Sequence, residues 1–391
     1  MPQYDVIILG AGAAGLMCAL TAGQRGRRVL LLDHADRVGA KILISGGGRC
    51  NFTNLGAAPD RFLSTNPHFA KSALGRYTQH DFIALVEKHG IPYHEKTLGQ
   101  LFCDHSARNI VRMLLDECAA GGVDIRLRHR IAGVHRADEF RVETDHGDFT
   151  APRLVLATGG PSIPKMGATG FAYDVARRFG LKLVEPRPAL VPLTLGADML
   201  AACRDLAGVA VEGVASAGRT AFREAVLFTH RGLSGPAILQ ISSYWQPGGE
   251  IALDLVPDTE VLPFLKDRKR SRPKAEPKSV LAEILPARLA HSVADELSLA
   301  GPIANLPDRR LEEAARRLKA WTFVPTGTEG FAKAEVTAGG IDTASLSQKT
   351  LEAREVPGLH VIGEAVDVTG WLGGYNFQWA WASGWCAGQA V

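Results

Sequence analysis

The sequence predicts an α/β protein, in which a parallel-sheet domain is interrupted by an inserted domain of different character. Three observations predict it. Short apolar runs, Tyr4–Leu9 (YDVIIL), Val29–Leu32 and Leu154–Ala157, read as strands buried on both faces, as in a parallel sheet. A glycine-rich turn, Gly10-Ala-Gly12-Ala-Ala-Gly15, leads from the first of them into a segment of helical composition, Ala13–Gln24. Pro186, Pro188 and Pro192 then mark a change to a short-strand pattern, and glycine-rich α/β character returns beyond Ala334.

At roughly 150 residues per domain, 391 residues predict two or three domains. An apolar content of 46% with 22% charged residues excludes a wholly disordered chain and a coiled coil. Lys+Arg 44 against Asp+Glu 41 gives +3, too balanced for a protein that coats nucleic acid. The six cysteines, Cys18, Cys50, Cys103, Cys118, Cys203 and Cys386, form no CxxC pair, which excludes a zinc ribbon and a dithiol redox motif. Free thiols in a long chain fit a reducing compartment. Val6–Gly23 carries no charge, but no basic segment precedes it and Gly10, Gly12, Gly15 and Gly23 interrupt it. It reads as strand, turn and helix, not a membrane span or signal peptide, and a cytoplasmic location without membrane contact is expected.

Along the chain, Thr78–His89 has helical amphipathicity through Phe82, Leu85 and Val86, and Ser106–Ala120 reads as a further helix before a strand at Val123–Leu127. Alternation over Gly133–Ala137 and Phe140–Thr144 predicts a hairpin. From Leu193 to Glu250 short strands are expected at Val209–Val214, Arg219–Glu224 and Val226–Thr229. Thr259–Ala320 turns helical and charged. The domains expected are 1–190, an insertion at 191–335 that is helical near 260–320, and 336–391 completing the first domain. The run Lys266–Lys278 holds seven Lys/Arg and two Asp/Glu; it reads as a solvated helix end or loop, or as a patch for a polyanion such as RNA.

The glycine turn follows a buried strand and opens a helix. Gly10 permits the tight turn, Gly12 lets the backbone approach a pyrophosphate, and Gly15 lets helix and strand pack closely. The helix N-terminus, with Ala13 and Ala14, offers unpaired N–H groups and a positive dipole end. Asp33, 23 residues after Gly10 and followed by His34, ends the next strand, where a carboxylate can accept both hydroxyls of an adenosine ribose. A dinucleotide is therefore expected. Three further stretches point to FAD, bound non-covalently. Gly39–Asn54 (GAKILISGGGRCNFTN) carries a triple-glycine loop suited to a flat ligand, with Lys41, Ser45, Gly46, Gly47, Arg49, Cys50 and Asn51 as candidate contacts. Ala157-Thr158-Gly159-Gly160 is the turn found in large two-dinucleotide-fold flavoproteins. In His360–Gly388, Gly363-Glu364 and Asp367 precede Gly373-Gly374, Tyr375 and Asn376 at the start of a helix. In such flavoproteins the acid after the glycine contacts the ribitol chain, and the helix N-terminus faces the flavin pyrimidine edge, where its dipole favours negative charge.

The stretches SGGGRCN (Ser45–Asn51), FTHRGLSGP (Phe228–Pro236), AEVTAGGI (Ala334–Ile341) and GGYNFQ (Gly373–Gln378) resemble the YhiN/HI0933-type flavoproteins, also described as BaiN-like or aminoacetone-oxidase-like. The resemblance runs in order from Val6 to Gly388. It implies a two-dinucleotide-binding-domain, Rossmann-like FAD fold with an inserted β-barrel and a small helical subdomain. It also implies bound FAD and one of several activities: reduction of conjugated C=C bonds, uridine reduction in ribosomal RNA, or amine oxidation. Gly99–Cys103 (GQLFC) and the aromatic WLGGYNFQWAW tail depart from the commoner family pattern.

For catalysis, two titratable residues stand out. Cys50 is either an acid or thiolate beside the flavin or a small buried residue fixing its loop. His230 precedes a tight turn, where Ser234 is expected to cap a helix starting near Pro236. Trp379, Trp381 and Trp385 read as helix packing, with Trp371 and Tyr375 nearest the diglycine. No metal-ligand set is present and no second GxGxxG, so NAD(P)H as electron donor would reach the flavin without a fold of its own. The expectation is a FAD-dependent oxidoreductase that delivers hydride from flavin N5 to an activated C=C of a small molecule. The alternatives are an oxidase of a small amine and a flavoprotein that acts on or binds RNA.

Overall fold

A computed structural model describes residues 4–391. The chain divides into two compact units, one of residues up to 187 together with 336–391, the other of 188–335.

The first unit is organised by a five-stranded parallel sheet. Val6–Leu9 lies at its centre, every residue buried, with Val29–Leu32 on one side and Arg153–Leu156 on the other. Leu359–Val361 continues the sheet beyond Arg153–Leu156, and Asp124–Arg126 forms the opposite edge. A strand from residues 359–361 thus completes a sheet begun at residue 6. The apolar runs form strands buried from solvent: helix Ala13–Gln24 packs on Val6–Leu9 and Val29–Leu32 and against helices Ala107–Ala120 and Tyr375–Gly388, and the strand Gly147–Ala151 also contacts Val6–Leu9.

The contact between Ala13–Gln24 and Tyr375–Gly388 depends on small residues. A Cβ at Gly384 would lie 2.5 Å from the Ala14 carbonyl, and one at Gly388 2.8 Å from that of Cys18. The tryptophans fill the rest. Trp381 stacks on Phe82 with ring centroids 4.3 Å apart and donates its indole N–H to Phe52 O, while Trp379 donates to Gly363 O. Helix Gln79–Lys88 begins with a capping box between Thr78 and Asp81, and Ser106 caps Ala107–Ala120. The predicted hairpin gains a third strand: Ile131–Arg136, Phe140–Thr144 and Gly147–Ala151 form an antiparallel meander.

The second unit holds a seven-stranded antiparallel sheet. Its order is Trp321–Phe323, Ile251–Asp254, Ala210–Ala217, Thr220–Phe228, Gly232–Ser234, Leu193–Thr194, Gly327–Thr328. The two end strands, Trp321–Phe323 and Gly327–Thr328, follow each other in the chain, and no ladder joins them among the described residues. The two runs expected at Arg219–Glu224 and Val226–Thr229 are one strand, Thr220–Phe228. Glu224 and Ala225 break the apolar pattern, but ladder pairing continues through them to Gly213 and Glu212. Ser234 does not cap the next helix. It ends a strand, and Gly235, at φ 86, is the N-cap of Pro236–Ser242 without a side-chain bond. A Cβ at Gly235 would lie 2.6 Å from Ala225 O, which reserves the position for glycine. Helices Val261–Ser271, Pro277–Leu281, Ala287–Glu296 and Asp308–Lys319 follow. All six cysteines are free and buried. Among the described residues no helix is long and apolar enough to cross a membrane.

Candidate functional site: a flavin cradle

Gly10 turns at φ 108, and a Cβ there would lie 2.5 Å from Ala157 O, so the turn leans on the end of Arg153–Leu156. A Cβ on Gly15 would lie 1.9 Å from Gly10 O, which brings helix Ala13–Gln24 directly onto the turn. Gly12 differs. It is the N-cap in extended conformation, no side chain caps the helix, and a Cβ on it would meet nothing within 4 Å. The first-turn N–H groups of Ala13, Ala14 and Gly15 are thus left without a side-chain cap beside the open space at Gly12, an arrangement that suits a pyrophosphate.

Asp33 is fixed by two backbone donors. Ala11 N–H donates to Oδ2 at 2.6 Å and Ala35 N–H to Oδ1 at 2.8 Å. Its remaining lone pairs suit ribose hydroxyls. His34, largely exposed, lies with Nδ1 3.5 Å from Asp33 Oδ1. Thr158 Oγ1 is buried without a hydrogen-bond partner among the described residues, and Gly159 beside it turns at φ 71. An open space at Gly12, an oriented carboxylate and an unpartnered buried hydroxyl fit the FAD expected there.

The triple-glycine loop is a run of left-handed residues: Gly46 (φ 56), Gly47 (φ 66) and Gly48 (φ 86), with Cys50 at φ 51. A Cβ on Gly46 would lie 2.7 Å from the Phe102 ring, whereas Gly47 has open space. Ser45 Oγ donates to Ile42 O, Arg49 is exposed, and Cys50 is fully buried. Burial pushes the Cys50 thiol far up, and the Ser45 hydroxyl offsets only part of this. Burial of this kind disfavours a thiolate at Cys50, which sits inside the loop.

Lys41 and Glu364 meet across 323 residues, Lys41 Nζ donating to Glu364 Oε2 at 2.7 Å. Lys41 also donates to Ser162 Oγ at 2.7 Å, Ser162 Oγ bonds Glu364 Oε1, and Thr337 N–H donates to Oε1 at 3.0 Å. The carboxylate expected on the ribitol chain is therefore already anchored by three groups of the chain. Ser162 and Thr337 are not among the predicted site residues; Ser162 follows Gly159-Gly160 and Thr337 precedes Gly339-Gly340, and a polar residue two positions from a diglycine is the signal that could have found them. Tyr173 joins this region. Its hydroxyl is buried without a hydrogen-bond partner among the described residues, and burial, then Glu364 and Asp367, push its pKa up.

Asp367, almost fully buried, accepts from Thr65 N–H at 2.9 Å and Thr65 Oγ1 at 2.7 Å. Asn376 spends its amide on the backbone of Gly370 and Trp371. These two residues hold loops. Gly373 (φ 108) and Gly374 (φ 97) press against neighbouring strands: a Cβ on Gly374 would lie 2.4 Å from Thr53 O, and one on Gly373 2.9 Å from Gln100. Asn51 faces Gln100 across the same two strands. Helix Tyr375–Gly388 starts there without a side-chain cap, its N–H groups next to the diglycine. Tyr375 is buried edge-on to Phe62, and Arg61 lies 4.3 Å over the Trp371 ring.

In the second unit, His230 is exposed on a turn held by Thr229 Oγ1, which accepts from Arg231 and Gly232 N–H. The basic run is largely spent on ion pairs. Lys266 and Lys269 pair with Asp308, Arg268 and Arg272 with Glu283, Arg270 with Asp267 and Lys278 with Glu276. It is a helix face tied to its neighbours.

A parallel sheet with an open glycine turn, an oriented acid on the second strand and a glycine-opened C-terminal helix defines an FAD-binding, Rossmann-like flavoprotein. The family model described as HI0933-like protein Rossmann domain matches residues 4–390, and the chain belongs to that family of flavoprotein oxidoreductases. Among curated relatives it is 52% identical over 397 residues to "Ribosomal RNA dihydrouridine synthase" of Escherichia coli (strain K12), covering 100% of this chain and 98% of the relative. It is 45% identical over 404 residues to the protein of that name from Haemophilus influenzae, covering 100% and 99%. It is 30% identical over 405 residues to "3-dehydro-bile acid delta(4,6)-reductase" of Clostridium scindens, covering 98% of each. Among solved structures, 3-ketosteroid-delta4-(5alpha)-dehydrogenase from Rhodococcus jostii RHA1 shares the fold, with a TM-score of 0.50 at 16% identity over 99% of this chain and 97% of that one.

Proposed function

We propose that this protein reduces a uridine of ribosomal RNA to dihydrouridine, with FAD bound in the cradle and NAD(P)H as electron donor. The observation that carries this reading is the end-to-end 52% identity to the Escherichia coli ribosomal RNA dihydrouridine synthase. It narrows the C=C reductase expected from the motifs to its RNA alternative. A uracil C5=C6 bond is conjugated to a carbonyl, as is the C=C of an enone, so one chemistry serves both substrate classes.

Bound FAD would supply the hydride. The chain's residues bind, orient and charge-match. First-turn N–H groups at Ala13–Gly15 receive the pyrophosphate, and Asp33 receives the ribose. The Lys41–Ser162–Glu364–Thr337 network fixes the loop wall on one side. The N-terminus of Tyr375–Gly388 favours negative charge at the diglycine, which promotes hydride donation. The proton for the second carbon requires an acid within hydrogen-bond reach. His230, an exposed imidazole, is the candidate to test; Cys50, enclosed and neutral, is assigned to holding the loop.

The test is a single anaerobic turnover. Protein reduced with NADPH is mixed with an unmodified ribosomal RNA transcript, and the visible absorbance of oxidised flavin is followed. RNA-dependent return of the absorbance supports the reading. Return only with a small enone would move the substrate to the class of the Clostridium scindens relative. Bleaching of the oxidised flavin by a small amine in place of NADPH, with return of the absorbance on adding O₂ and with no unsaturated acceptor, would make the protein an oxidase.

A further inference from the structure

A uridine stacked in folded RNA must leave its stack before a flavin can reach its ring, and the gap it leaves must be filled. Most large apolar side chains are buried, yet Leu98 is 63% and Leu55 40% exposed. Leu98 stands at the tip of the hairpin joining Tyr93–Glu95 to Gln100–Cys103, at φ 52, an uphill conformation for a leucine. The tip is braced. Lys96 N–H donates to Gln100 O and Gln100 N–H to Thr97 O, and Gly99 N–H takes up the Glu95 carboxylate at 2.9 Å. Leu55 N–H donates to Gly99 O at 2.8 Å, which sets Leu55 beside the tip.

The brace continues to the site. Asn54, only 1% exposed, donates from Nδ2 to Leu98 O at 3.1 Å and to Gly373 O at 2.8 Å, and accepts Gly56 N–H at 2.8 Å. One buried amide thus fixes the exposed leucine relative to the diglycine, where the flavin pyrimidine edge is expected. Cations flank this line: Lys96, two residues before Leu98, and Arg61, over the ring of Trp371, two residues before Gly373. Two leucines are far too little apolar surface for a stable protein interface. An apolar tip with one cation beside it and a second at the diglycine end of the brace suits a base stack lined by phosphates.

We propose that Leu98, backed by Leu55, is a wedge that takes the place of the target uridine in the RNA stack when that base turns out toward Gly373-Gly374. This rests on the reading of the substrate as an RNA uridine. The test compares the wild type with Leu98→Ser and Leu98→Met, each checked for full flavin content. Dihydrouridine formation is measured on a folded, unmodified ribosomal RNA transcript and on a short single-stranded oligonucleotide containing uridine. In parallel, a duplex with 2-aminopurine beside a uridine reports unstacking by fluorescence. Leu98→Ser should lose about tenfold or more on the folded RNA and abolish the fluorescence rise, while single-strand turnover stays within about twofold and Leu98→Met restores both. Equal loss on both substrates would make Leu98 part of the flavin site, and no loss on either would make it a surface residue; each outcome overturns the wedge. Absence of dihydrouridine with wild-type protein on every RNA would instead overturn the substrate reading, and the wedge with it.

Discussion

Replacing Gly12 by valine separates ligand binding from folding at this cradle. The residue has extended backbone angles, φ −84 and ψ −172, which valine adopts without strain, and its Cβ direction points into open space. A valine there should change the stability of the flavin-free protein by no more than about 1 kcal/mol, the scale of N-cap preferences. The same side chain would fill the space through which a pyrophosphate reaches the first-turn N–H groups. Loss of two such bonds, each about 1.5–3 kcal/mol toward a charged acceptor, amounts to about 3–6 kcal/mol. That is roughly two to four powers of ten in Kd. The assay is titration of flavin-free protein with FAD, followed by fluorescence, beside the melting temperature of the same samples. Gly10→Ala is the contrast: at φ 108, with its Cβ 2.5 Å from Ala157 O, it should lose stability and flavin together. A Gly12→Val protein that binds FAD with unchanged affinity would refute the placement of the pyrophosphate.

Further outcomes follow from the same geometry. Asp33→Ala should weaken FAD by about 1–3 kcal/mol and also lower the melting temperature, because the carboxylate holds the Ala11 and Ala35 N–H groups; a loss of affinity without any loss of stability would contradict this. Lys41→Met should destabilise by about 1–3 kcal/mol by leaving the Glu364 carboxylate short of its cation, and adding Glu364→Gln should recover part of the loss in a double-mutant cycle read by urea denaturation. Glu117, almost fully buried, is pushed up most by burial, but bonds from Lys88, His89 and Gln24 outweigh this and hold it down to about 2. A carboxylate depressed in the folded state stabilises fully above its unfolded value of about 4.3 and loses this as pH falls toward 2, about 3 kcal/mol in all. Glu117→Gln should therefore destabilise at pH 7 and approach the wild type near pH 2; an equal gap at both pH values would contradict the linkage.

The sequence was most legible where chemistry and backbone geometry are local. Gly10 and Gly15 are reserved for glycine by the carbonyls of Ala157 and Gly10, Gly12 keeps the approach to the helix end open, and Asp33 sits at a spacing set by one helix and one strand. The roles of acids after glycines were harder to read. Glu364 and Asp367 follow Gly363 in one short stretch, but the partners of Glu364, Lys41 and Ser162, lie 323 and 202 residues away, and Asp367 turns to Thr65. Spacing within a motif says that a carboxylate is near the site, not which donor reaches it first. Glu224 hid the continuity of Thr220–Phe228 because strand alternation registers burial, whereas ladder pairing is backbone chemistry that tolerates one polar residue. The Ser234 cap failed because Ser234 still pairs in the strand, opposite Leu227, and Gly235, where the Ala225 carbonyl leaves no room for a side chain, takes the N-cap position at φ 86.

The most direct test of the central claim is nucleoside mass spectrometry of unmodified ribosomal RNA after anaerobic incubation with the flavin-loaded protein and NADPH. On this account dihydrouridine, two hydrogens heavier than uridine, should appear only when both the protein and the reductant are present. Consumption of NADPH with a small conjugated enone, while every uridine in the RNA stays unreduced, would contradict it.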